Sequence, residues 1–191
     1  MNIRLPFRNR PEMGPAGRMT ILGTSLCGAD TMRKYALRRN PDAPDVAGLY
    51  VNISAAYGVR GDVAYCQAML DTRTWTAPSG IPPWRPFAHT VWGEGRIAWS
   101  ADRLEKMVKL HIQYLQAFAS MEAPVRAEPL PELRMKRLIE AELRGSAVCW
   151  EDLNGKWVVP GSRYGQDILA IWRNMREWQE EEETKERRKQ A

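Results

Sequence analysis

The feature that most limits this chain is the stretch from Thr74 to Ser100, where Pro78, Gly80, Pro82, Pro83, Pro86, Gly93 and Gly95 forbid a long helix. Segments on both sides have helical periodicity. The fold must therefore be mainly helical, with one irregular lobe inserted between two of its helices. Tryptophan collects in that lobe: of eight in the chain, Trp75, Trp84, Trp92 and Trp99 fall there, against three phenylalanines in all.

The flanking helices can be placed from period and breakers. Thr31 to Arg39 follows Asp30 as a cap and stops at Asn40-Pro41. Val46 to about Ala56 closes on the Gly58 to Gly61 turn. Val63 to about Thr72, capped by Asp62, is apolar almost all round and should be buried, with Asp71 at its C-terminal end. Ala101 to about Met121 has Leu104, Met107, Val108, His111, Ile112, Leu115, Phe118 and Ala119 on one stripe. Pro131 to Arg144 is shorter, and a last helix starts near Tyr164. Between these, Gly145 to Gly161 reads as turn and extended structure around Asn154-Gly155. The expected class is α+β: a mainly helical domain with a small Pro/Gly/Trp-rich irregular or β lobe. Residues 1–18 form a flexible basic leader, 19–178 the domain, and 179–191 a charged helical tail.

With 191 residues and 44% hydrophobic composition, one packed domain is expected. No apolar run approaches the roughly 20 residues of a membrane span, and no secretory signal opens the chain. Three cysteines, Cys27, Cys66 and Cys149, lie far apart with no zinc-ligand spacing, so a disulfide framework and a metal site are both unexpected. The charge is asymmetric: residues 1–39 hold eight basic and two acidic side chains, net +6, in a chain of net +5. Such an end attracts any polyanion, from nucleic acid to an anionic wall polymer.

Walker, GxGxxG, HExxH and GxSxG patterns are missing. His111, on the inward stripe, reads as a satisfied core or interface histidine. What remains is Asp71, at the end of a buried helix beside an aromatic lobe. The helix dipole and desolvation there both favour the protonated carboxyl, which suits a general acid, as glycoside hydrolysis requires. Trp75, Trp84, Phe87, Trp92 and Trp99 could offer flat faces to sugar rings. The bland alternatives are that Asp71 caps a helix at the surface and that the tryptophans are core.

Several motifs in order resemble one family. Gly58-Val59-Arg60-Gly61-Asp62-Val63-Ala64-Tyr65-Cys66-Gln67-Ala68-Met69-Leu70-Asp71-Thr72, Pro86-Phe87-Ala88, Gln113 to Ala119, and the closing run Trp150-Glu151-Asp152-Leu153-Asn154-Gly155-Lys156-Trp157, Val159-Pro160-Gly161 and Tyr164-Gly165 resemble the bacterial peptidoglycan endo-β-N-acetylglucosaminidases. The resemblance implies a lysozyme-like fold and cleavage of a β-1,4 bond of the glycan strand without a cofactor or metal. It places Asp71 at the catalytic acid position and Glu94 at that of a second carboxylate. Tyr164 either lines the cleft or packs at the start of the last helix. Two departures sit in the site: Asp71 stands where the family has glutamate, drawing the acid back by about 1.5 Å, and Arg73 stands where it has glycine. Shifts of about 1 Å can cost on the order of 100-fold in rate. The expected partner is the glycan strand rather than nucleic acid, and the expected route is synthesis in the cytoplasm with delivery by a phage particle or lysis. A non-catalytic glycan-binding or virion structural module is the second reading, and a basic nucleic-acid binder the third.

Overall fold

The computed structural model describes residues 17–76, 86–92 and 101–190. Among these residues seven α-helices follow in chain order: α1 (Ala29–Leu37), α2 (Ala47–Tyr57), α3 (Gly61–Thr72), α4 (Pro86–Trp92), α5 (Ala101–Ala119), α6 (Glu132–Glu140) and α7 (Tyr164–Gln190), with a 3-10 turn at Trp150–Leu153 before α7. Most lie within two or three residues of the expected positions. Among the described residues β-structure is limited to isolated bridges, Thr20 with Cys149, Leu22 with Val59, and Asn154 with Val158.

The arrangement centres on α3. From Gly61 to Thr72 every side chain except Leu70 is buried, because α1, α2, α4 and α7 all pack against it. Glycine permits the closest of these approaches. A Cβ at Gly61 would lie 2.1 Å from Ser54 Oγ and 2.7 Å from the Tyr50 carbonyl of α2. Just upstream, Gly58 ends α2 in the left-handed region at φ 66°, a conformation in which glycine escapes the Cβ clash. The glycines of the Gly58-Val59-Arg60-Gly61 motif thus do separate jobs: one turns the chain and the other lets two helices touch. Gly165 repeats the second job, since its Cβ would come within 2.3 Å of the Trp150 carbonyl.

Helix ends explain other parts of the sequence. Asp30 is not the cap of α1 but lies in its first turn after Gly28, paired with Lys34 at 2.7 Å. The α3 N-terminus is capped from a distance: Ser25 Oγ accepts from the Gly61 and Asp62 amides at 2.9 and 3.3 Å. Asp62 is therefore a first-turn residue inside α3, and it is free to bond elsewhere. Residues 19–23 run extended between two partners, Ile21 N–H donating to the Val148 carbonyl at 2.9 Å and Arg60 N–H to the Ile21 carbonyl at 3.0 Å.

On α5 the expected stripe is buried at Leu104, Val108, His111, Ile112, Leu115 and Phe118, while Gln113, Tyr114 and Gln116 are enclosed as well. The Gln113 and Gln116 amides explain this, since they donate to backbone carbonyls of residues 122, 128 and 129 beyond the helix. In the 74–100 stretch the described residues form the end of a turn and the short helix α4. Over Gly145 to Gly161 the chain forms the 3-10 turn instead of extended strands, closed by Asp152 accepting from the Cys149 amide at 2.8 Å. The charged tail continues α7 to Gln190 with exposed side chains. No helix among the described residues is long and apolar enough to cross a membrane.

Candidate functional site at the C-terminal end of α3

Asp71 occupies the last turn of α3 and is buried, at 3% exposure. A carboxylate there faces the negative end of the helix dipole, so partners from outside the helix must hold it. Two come from the closing motif: Trp157 Nε1 donates to Oδ2 at 3.1 Å, and the Tyr164 hydroxyl donates to Oδ1 at 2.8 Å. Sequence reading left Tyr164 between lining the cleft and packing; it is buried at the first position of α7 with its hydroxyl on Asp71.

Behind Asp71 lies a polar line through the core. Gln67, one helical turn before Asp71 on α3, donates through Nε2 to the Tyr164 oxygen at 3.0 Å. Its Oε1 lies 3.0 Å from His111 Nε2, and His111 Nδ1 lies 2.7 Å from the Tyr50 hydroxyl. Burial pushes the His111 imidazole down to about 3, so it is neutral over the ordinary pH range. The same burial pushes the Tyr50 phenol well up. His111 is the satisfied core histidine its stripe suggested. Its partners were not readable, because Gln67 and Tyr50 lie on helices distant in sequence.

An aromatic shell surrounds this line. Trp157 packs against Phe87 with ring centroids 5.3 Å apart and against His111 at 5.4 Å. Phe87 also meets Tyr114 and Phe118 edge-on. Trp75 and Trp92 meet edge-on at 6.4 Å, and Trp92 covers His111 at 6.1 Å. Both tryptophans are at 0% exposure. This corrects their assignment as saccharide platform: an indole enclosed on both faces offers no surface to a sugar ring, and these two are core residues packed against Tyr65 and His111. Phe87 is half-buried; with Thr90, Tyr114, Arg134, Arg137 and Leu138 it lines a cavity of about 150 Å³. Trp84, Glu94 and Trp99 lie outside the described residues.

The chain leaves α3 by an uncommon route. Arg73, Thr74 and Trp75 have φ of 51°, 54° and 57°, three successive non-glycine residues in the left-handed region, each costing about 1–2 kcal/mol. Local bonds hold the turn: Thr72 Oγ1 accepts from the Trp75 amide at 2.9 Å, the Thr74 amide donates to the Met69 carbonyl at 2.6 Å, and Asn40 Nδ2 donates to the Thr74 carbonyl at 2.8 Å. Arg73 thus keeps a backbone conformation suited to glycine.

Among the described residues no group of three or more His, Cys, Asp or Glu side chains is placed to hold a metal ion. The three cysteines are buried free thiols, and burial pushes Cys27 up to about 12, so none of them is an activated nucleophile at neutral pH. Comparison of the chain with protein-family models, with curated proteins and with solved structures gives no match.

Proposed function

We propose that this chain is a divergent peptidoglycan-cleaving glycosidase of lysozyme-like fold, in which Asp71 acts as the acid on a β-1,4 bond of the glycan strand. The observation that carries the reading is the setting of Asp71. A buried carboxyl closes the central helix and is gripped by Trp157 and Tyr164 from the segment that bears the closing motif. The two donors stabilise the anion left after proton transfer to the leaving oxygen. Each carboxyl oxygen has two lone pairs, so a proton can be carried on one while Trp157 and Tyr164 occupy others. The second carboxylate is assigned to Glu94, and the sugar-facing surface to Trp84 and Phe87. Peptidoglycan is the partner, reached through a phage particle or cell lysis.

A second reading is favoured by one specific pair of facts, the enclosure of Trp75 and Trp92 and the shortness of aspartate at this position. In it the same fold holds glycan strands without cutting them. Clearing of a peptidoglycan gel separates the two. The first reading expects wild type to clear the gel, Asp71→Glu to clear it as well or better, and Asp71→Asn to lose on the order of 100-fold or more. Sedimentation with purified wall but no clearing by wild type or Asp71→Glu gives the second reading. Equal clearing by all three forms removes Asp71 from the chemistry.

A further inference from the structure

We infer that Tyr50, His111 and Gln67 are positioning residues: they form a one-way chain of hydrogen-bond donors that obliges the Tyr164 hydroxyl to donate to Asp71. The direction can be deduced link by link from the far end. The Tyr50 side chain is fully enclosed, and the hydrogen-bond partner of its hydroxyl is His111 Nδ1 at 2.7 Å. A buried hydroxyl that does not donate carries a desolvation cost, so Tyr50 donates and Nδ1 must be bare. A neutral imidazole with bare Nδ1 has its hydrogen on Nε2. That hydrogen requires an acceptor, which fixes the side-chain amide of Gln67 with Oε1 toward His111, at 3.0 Å. The NH2 group then faces Tyr164 and donates to its oxygen, at 3.0 Å. With that donor arriving, the hydrogen of Tyr164 points to Asp71 Oδ1, at 2.8 Å.

Trp157 makes the other end equally strict. An indole N–H can only donate, so Oδ2 is an acceptor on that side. Reversing the chain would require Tyr164 to rotate, Gln67 to flip, His111 to change tautomer and Tyr50 to give up its acceptor, all inside a packed core. The three residues do not themselves touch a substrate. They act through Tyr164, by keeping its hydrogen on the carboxyl group.

The activity half of this inference rests on the glycosidase reading, whereas the structural half can be tested without any substrate. The first measurement is 15N NMR of the His111 imidazole in the intact chain at neutral pH. A single neutral tautomer with hydrogen on Nε2 is expected; hydrogen on Nδ1, or a mixture of tautomers, overturns the chain.

The second measurement uses Gln67→Glu, a change of nearly equal shape. The new side chain offers an acceptor to Tyr164 instead of a donor, and draws its hydrogen away from Asp71. On soluble glycan-strand oligomers, Gln67→Glu and Tyr164→Phe should each lower kcat by tenfold or more with little change in KM. The double variant should be no slower than the slower single one, because both changes remove the same donor. Losses that multiply in the double variant overturn the inference, since two independent packing defects would behave that way. Should Gln67→Glu fail to fold, the tautomer of the unaltered chain still decides. Should wild type cleave no glycan while His111 carries its hydrogen on Nε2, the glycosidase reading fails and the chain stands.

Discussion

The two ends of α3 carry the same side chain, Asp62 in the first turn and Asp71 in the last, at 1% and 3% exposure. Their surroundings differ in almost every other respect. Asp62 Oδ2 accepts from the Leu26 and Cys27 amides at 2.9 and 3.1 Å and from Trp172 Nε1 at 2.8 Å, and Oδ1 accepts from the Val63 amide at 3.0 Å. Each of these donors is a backbone amide or an indole, which can do nothing but donate. The positive end of the helix dipole adds to them. Asp71 stands at the negative end, holds a tyrosine hydroxyl that owes its direction to three further side chains, and precedes a left-handed turn. A carboxylate bound for stability is thus recognisable by rigid donors and a favourable dipole. The carboxylate at the other end is kept in place through a longer relay of side chains, against an unfavourable dipole.

Removing the rigid end should have the largest effect. Asp62→Ala leaves the Leu26, Cys27 and Trp172 donors buried without an acceptor, and about 3–5 kcal/mol of stability should be lost in urea unfolding. A loss below about 1 kcal/mol would erase the distinction between the two ends.

The Asp71 end should reveal itself through acid. His111 titrates at about 3 in the folded chain against about 6.5 unfolded, so between those values the unfolded state binds the extra proton. Stability from this group is therefore complete above about pH 6.5 and falls as pH drops toward 3, by up to about 1.4 kcal/mol per pH unit. Replacing the histidine, as in His111→Gln, should flatten that part of the stability profile. An unchanged slope would mean that His111 is reached by water and that the polar line is looser than its distances imply.

The smallest expected effect concerns the turn. Arg73→Gly removes a Cβ from the left-handed region at φ 51°, which should raise stability by about 0.5–1 kcal/mol after the added freedom of the unfolded chain is counted. A loss instead would show that the arginine side chain makes contacts worth more than the strain.

Much of the helical framework was legible because each element announces itself locally. The 3.6-residue stripe of α5, the glycine ending α2, and the Asn40-Pro41 stop after α1 all act within a few residues. Asp71 stood out for the same reason, as a carboxyl at the end of an otherwise apolar helix. What could not be read is pairing across the chain. Period places Gln67 and His111 on inward faces without saying that one meets the other. Trp75 and Trp92 looked the same as exposed platform residues, since an indole suits either role and only packing decides. Asp62 looked like a cap because an acid before a helix usually is one; Ser25, distant in sequence, has taken that task.

One feature shared by the two ends governs how the protein comes into being. Both carboxylates take donors from the same late stretch, Trp157 and Tyr164 for Asp71 and Trp172 for Asp62, at sequence separations of 86, 93 and 110 residues. On the ribosome, α3 leaves the exit tunnel well before any of them. Until that stretch follows, Asp71 lacks its Trp157 and Tyr164 donors, whereas Asp62 lacks Trp172 alone and already has the Leu26, Cys27 and Val63 amides within reach. The two tips of α3 thus differ in when their polar demands can be met: the first mostly by residues made before or with the helix, the second by residues made some ninety positions later.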